Sequence, residues 1–159
     1  MSLLATYLND HLAGATTGRE LARRIASSNR RSELYGPPTA LLASEVEEDR
    51  DSLLAVMRAL GVRTDRLKVA AGWSAEKVGR LKPNGRLISY SPLSRLIELE
   101  GMMLGVRGKL AMWESLISVL GEDPRLAGID LERLAERARS QFETLETLRL
   151  EASREALEG

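Results

Sequence analysis

The sequence predicts an all-α fold: a four-helix bundle in which one long crossover joins two helical hairpins. Three observations predict it. Ala, Glu, Lys, Leu and Arg supply more than half of the 159 residues, a composition that goes with long helices. Apolar residues recur at three- and four-residue spacing through four separate stretches, as a helix with one face in a core requires. Gly, Pro and N-capping residues punctuate these stretches, and they leave a short connection, one of about thirty residues, and another short one. An up-down-up-down bundle needs only short loops, so the long middle connection selects the topology with a single crossover.

The first helix is expected from near Ser2 to about Ser28 or Arg30, with Leu4, Leu8, Ala15, Ala22 and Ile25 inward and His11 and Gly18 in the centre of that stripe. Tyr7 and Leu21 flank the stripe on one side and Leu12 on the other. Gly36-Pro37-Pro38 stops it. The second helix is expected from about Pro38 to Leu60, ended by Gly61, with Leu42, Val46, Leu53, Val56 and Leu60 inward, Asp49 among them and Glu45 at the edge. The crossover follows, and Thr64 is placed to cap a short amphipathic helix within it that reaches about Leu81. Ser91 before Pro92 reads as an N-cap with proline at the first helical position. This third helix runs to Gly121, with an apolar stripe of Leu96, Leu99, Met103, Val106, Leu110 and Ile117. Asp130 caps the fourth helix, which extends to about Leu157 and turns Leu131, Leu134, Ala138, Phe142, Leu145 and Ala152 inward, with Gln141 and Arg149.

Composition narrows the function classes. The chain suits one domain. Formal net charge is zero, which argues against a general attraction to nucleic acid or membrane. The absence of cysteine removes disulfides, thiolate metal sites and cysteine nucleophiles, and it makes a reducing compartment the default. No uncharged apolar stretch approaches the roughly 18 residues that span a bilayer, and the N-terminal residues have no signal-peptide pattern. The expectation is a soluble cytoplasmic protein. No nucleophile-base pair or phosphate-binding loop is present, because Gly101, Gly105 and Gly108 lie inside a helix and follow no strand.

The polar residues inside the expected stripes are the candidate site. With the first and fourth helices pointing one way and the other two the opposite way, a rise of about 1.5 Å per residue brings Asp49, Arg107 and Gln141 to one level. His11 and Glu114 fall about a turn to one side, and Glu45, Glu100 and Arg149 form a further layer. Each layer mixes acid with a basic or polar partner, as buried charge requires. The expected buried polar network is therefore His11, Glu45, Asp49, Glu100, Arg107, Glu114, Gln141 and Arg149. The same counting sets Gly14 and Gly18 opposite Gly108 and Gly105. Helix-interior glycine costs about 1 kcal/mol relative to alanine, and close backbone approach would account for it, with a dimer contact through Gly101 as the competitor.

At the level of topology all four helices together resemble the ferritin-like superfamily. Its metal-binding members place a Glu on one helix of each pair and a Glu-x-x-His on the other. In this chain the first helix has His11 at its centre while Glu20 points away, Glu45 is followed by Glu48, Glu100 takes a ligand-like position, and Glu146 is followed by Arg149. The histidines are replaced, and arginine stands where a metal would supply positive charge. The resemblance thus implies the architecture with a degenerate metal site.

Three readings follow. The first is a non-catalytic bundle whose polar layers fix helix register, an interaction or structural protein, homo-oligomeric and most simply a dimer, with no cofactor. The second is a metal or redox protein in which Glu45, Asp49, Glu100, Glu114 and His11 hold Fe or Mn, or Mg. The third is a binding module using the crossover, where Arg63, Arg66, Lys68, Lys77, Arg80, Lys82 and Arg86 outnumber Asp65 and Glu76. Arg66, Lys68, Lys77, Arg80 and Lys82 are its anion-binding candidates, with Trp73 and Tyr90 nearby. A solvated basic helix against the acidic Glu47, Glu48 and Asp51 run is the simpler role for that segment, so nucleic acid is not the expected partner.

Overall fold

The computed structural model describes residues 2–65 and 90–158. The described residues form an all-α bundle of four long helices: α1 (Leu3–Asn29), α2 (Gly36–Ala59), α3 (Pro92–Leu120) and α4 (Leu131–Leu157), with a single 3-10 turn at Pro124–Leu126 before α4. The capping residues set the boundaries. The hydroxyls of Ser2 and Ser91 accept from Ala5 N and Ser94 N, and the Asp130 carboxylate accepts from Arg133 N, each satisfying a backbone donor that the helix itself leaves open. Pro92 follows Ser91 directly, in the first turn of α3. α2 ends where Gly61 adopts φ +69° and Val62 N turns back to Met57 O at 2.8 Å, a left-handed closure that glycine makes without steric cost. α2 begins two residues earlier than the proline pair suggests. Gly36 is buried against the end of α1, where a Cβ would sit 3.2 Å from Asn29 O, so the α1–α2 turn is as tight as it can be made with a glycine.

The registers of contacts between helices give the topology. Along α1 and α2, Arg23 meets Glu47 and Arg50 meets Thr16, so these helices are antiparallel. Arg95 meets Glu155 and Arg139 meets Glu114, making α3 and α4 antiparallel. Arg24 pairs with Glu98 and Gly18 lies beside Met102, which sets α3 antiparallel to α1. Lys109 meets Asp49 at one level and Arg95 lies over Tyr35 at another, which makes α2 and α3 parallel. Two parallel helices consecutive in the chain require a connection that travels the length of the bundle, and this is the single long crossover expected. The short helix expected within it falls largely on residues 66–89, which lie outside the described residues.

Both described ends of the crossover are tied to α1. Asn9, fully buried, donates to Arg63 O at 3.0 Å and accepts from Asp65 N at 2.6 Å. At the other end Asn29 donates to the Tyr90 hydroxyl at 3.2 Å. The amides of these two asparagines are themselves buried, and left unpaired they would cost about 1–3 kcal/mol each.

The core is centred on Leu8, Leu12, Leu53, Leu99, Trp113 and Leu145, all at most 1% exposed. On α1 the buried face runs through Leu8, Leu12, Thr16 and Ile25, one residue round from the stripe expected through His11 and Gly18. On α3 it runs through Leu99, Met102, Val106, Trp113 and Leu116, again displaced from the expected Met103 and Ile117. The cause on α3 is a second apolar face. Leu93, Ile97, Leu104 and Val119 are 40%, 44%, 77% and 77% exposed, and a single stripe fitted to all the apolar residues falls between the two faces. Glu100, Arg107 and Glu114 occupy that intermediate strip and are exposed.

Candidate functional site

Asp49 is the hub of the buried polar chemistry. It sits in mid-α2, 2% exposed, and it receives donors from two other helices. Lys109 Nζ of α3 donates to Oδ2 at 2.5 Å, Arg137 of α4 donates to Oδ1, and Gln141 Nε2 donates to Oδ2 at 3.1 Å. Gln141 also donates to Glu45 at 2.9 Å and accepts from Lys109. Arg137 reaches outward to Glu48 at 2.8 Å. Lys109 is held mostly out of water, and burial pushes its ammonium below the ordinary lysine range, with the neighbouring Asp49 acting in the opposite direction. Both oxygens of Asp49 are thus engaged by cations, the arrangement under which a buried carboxylate is tolerable.

Asp49 and Gln141, expected at one level, are joined by a hydrogen bond, and the cation between them is not the one expected. Arg107, expected between them, is on the surface, and the ladder of Glu100, Arg107 and Glu114 inside the bundle is not formed. Lys109, two residues on and so about 200° round the helix, takes the buried place. Its signal in the sequence is that it is the one lysine outside the crossover. Glu114 pairs at the surface with Arg139 at 3.0 Å. Arg149 is half-buried and grips Glu146 on its own helix at 2.9 Å. His11 is half-buried, packs edge-on against Tyr7 with ring centres 4.6 Å apart, and has its pKa lowered by burial. Of the five residues offered as metal ligands, Glu45 and Asp49 are neighbours through Gln141, whereas Glu100 and Glu114 are elsewhere on the surface. Among the described residues no group of three or more His, Asp or Glu side chains is arranged to hold a metal ion. The anion-binding candidates Arg66, Lys68, Lys77, Arg80 and Lys82, with Trp73, lie outside the described residues.

A second polar hub, not expected from the sequence, closes the end of the bundle where α1 and α4 finish and α2 and α3 start. Arg95 Nε donates to Asn29 Oδ1 at 2.7 Å, and Nη1 donates to Glu155 at 2.5 Å. The guanidinium lies 4.3 Å from the centre of the Tyr35 ring, a cation–π contact. Tyr35 in turn donates to Glu155 at 3.0 Å, and Tyr90 donates to Glu98 at 2.9 Å. The available signal is the placing of Tyr35 and Tyr90 beside helix ends, with an arginine in the first turn of α3.

This hub is expected to make stability pH-dependent on the alkaline side. Burial, then the hydrogen bond to Glu155, pushes the Tyr35 hydroxyl up to about 12 from 10.0, and burial followed by Glu98 raises Tyr90 as well. Below pH 10 both folded and unfolded tyrosines are neutral, and the full stability is present. Between pH 10 and about 12 the unfolded chain loses its proton first, so stability falls as the pH rises. The thermal midpoint is expected to drop across this interval, and Tyr35→Phe to shrink the drop; an unchanged slope in that variant would show that Tyr35 is not responsible.

Between α1, α2 and α3 lies a cavity of about 230 Å³. Gly14, Gly18, Gly105 and Gly108 all contribute to its wall. These glycines, expected to face one another, do border one space, but not for the reason expected. A Cβ at Gly14 or Gly108 would meet nothing within 4 Å, so these two do not serve close backbone approach. They border open space. No protein-family model, curated protein or solved structure matches the chain. Among the described residues no helix is long and apolar enough to cross a membrane.

Proposed function

We propose that this chain is a non-catalytic bundle of the ferritin-like type that works as a self-associating structural or interaction protein. The observation that carries the reading is the second face of α3. Leu93, Ile97, Gly101, Leu104, Ala111 and Val119 recur along one side of the helix, all exposed and with no charge among them. A monomer leaves few such stripes open to water, and an extended one marks an interface. The one-crossover connectivity supports the ferritin-like assignment. The saturation of Asp49 by Lys109, Arg137 and Gln141 supports a structural role for the central cluster, since each of its groups is engaged by another.

The partner is a second copy. Glu100 and Arg107 flank the stripe on one side, seven residues apart. An antiparallel pairing of two α3 helices, with the two-fold axis beside Leu104, sets Glu100 of each copy against Arg107 of the other. A two-fold interface must be self-complementary, and this pattern satisfies that condition.

Sedimentation analysis tests the reading. The wild-type chain should be a dimer at micromolar concentration, and Ile97→Glu should be a monomer with unchanged helicity. Glu100→Arg should shift the equilibrium toward monomer, and adding Arg107→Glu should restore the dimer. A monomeric wild type overturns the proposal; a double variant no more dimeric than the single one overturns the antiparallel pairing.

A further inference from the structure

The cavity between α1, α2 and α3 has the character of a binding site, and three observations on different residues agree on what it would bind. The first is its emptiness at the glycines. Gly14 and Gly108 lie inside helices, where glycine is costlier than alanine, and neither is required by a neighbouring atom within 4 Å. What their lack of side chains provides is volume. The second is Trp113, which forms part of the wall and is wholly buried. Its Nε1–H has no hydrogen-bond partner, and an indole nitrogen can only donate. A buried donor left in this state costs about 1–3 kcal/mol. The third is Lys109, also in the wall. Its ammonium has three donor hydrogens, of which Asp49 and Gln141 accept two.

Apolar side chains such as Val46, Leu53, Val106 and Met112 make up much of the remaining wall. Two acids border the cavity: Asp49 is already matched by Lys109 and Arg137, and Asp10, at an exposed position, shares the wall with the basic Arg50 and with His11. The wall therefore offers donors and an apolar lining, and calls for an acceptor on an apolar body. A cavity of about 150 Å³ takes a benzene ring, so one of about 230 Å³ has room for a ring with a substituent or a short branched chain. The geometry points to a small apolar carboxylate as the ligand, its ring or chain along the glycine walls and its carboxylate toward the Lys109 and Trp113 donors. Gly14, Trp113 and Lys109 are not on the exposed stripe of α3, but Leu104, which is, also borders the cavity, so the Ile97→Glu variant is titrated beside wild type to keep ligand binding distinguishable from self-association.

The probes are benzoate, which carries the acceptor, and benzene, which lacks it. Titration is followed by the indole N–H resonances in a nitrogen-labelled sample, with Trp113→Phe assigning the Trp113 signal. Benzoate should move that signal and raise the thermal midpoint, and it should bind at least tenfold more tightly than benzene. Trp113→Phe should weaken benzoate by up to about tenfold, the worth of one hydrogen bond. Gly14→Leu, whose side chain enters the open space, should abolish binding of both probes while the helical spectrum is retained. No response to benzoate at millimolar concentration overturns the site, as does binding that survives in a folded Gly14→Leu. Equal affinity for benzene and benzoate overturns the carboxylate assignment.

Discussion

Asp49→Ala is expected to destabilise the protein by about 3–5 kcal/mol, the cost of removing one partner from a buried ionic cluster. The reason is what the substitution leaves behind. Lys109 and Arg137 have side chains only 15% and 18% exposed; without Asp49, Arg137 keeps its pair with Glu48, while among carboxylates Lys109 keeps only the longer-range influence of Glu45 against the burial that disfavours its charge. Chemical denaturation of the variant beside wild type measures the difference. The companion experiment removes the innermost groups of the cluster and leaves Arg137 paired with Glu48. Asp49→Leu with Lys109→Met and Gln141→Leu replaces the buried polar groups by apolar ones of similar volume and is expected to remain within about 2 kcal/mol of wild type. If the cluster sets helix register, the triple variant will fold with broadened or multiple amide resonances. Sharp single resonances would show that register is held by the apolar core alone.

The second large effect is expected at Arg95. Arg95→Met should cost about 2–3 kcal/mol, because it strands the buried Asn29 carbonyl oxygen and removes the contact with the Tyr35 ring. Asn29 is only 2% exposed, and water cannot readily replace the lost donor. Arg95→Lys restores the charge without the planar fork that serves Asn29 and Glu155 together, so it should recover less than half of the loss. A change below about 0.5 kcal/mol in Arg95→Met, the range of an ordinary surface substitution, would show that this end of the bundle is held by apolar packing. The hub also joins all four helices and the returning crossover, so amide exchange in the first turns of α2 and α3 should accelerate together in the same variant.

The sequence by itself determined the four helices and nearly all their ends, because caps and stops are local chemistry. Ser2, Gly61, Ser91 with Pro92, and Asp130 act on backbone groups within a few residues of themselves, and they need no tertiary partner to be understood. The connectivity was also determined, since the length of the middle connection permits α2 and α3 to run parallel. The level of Asp49 and Gln141 followed from the rise of a helix. Rotation about the helix axis was decided only by the tertiary structure. α3 is apolar on two sides, and periodicity cannot say which side faces α1, α2 and α4 and which is left open. That ambiguity put Arg107 inside and left Lys109 unnoticed, and the same rotation turned the expected contact between glycines into a cavity. Arg95 illustrates the remaining limit. Its partners, Asn29, Tyr35 and Glu155, come from the end of α1, the turn into α2 and the end of α4, and only the packing of all four helices brings them to one guanidinium.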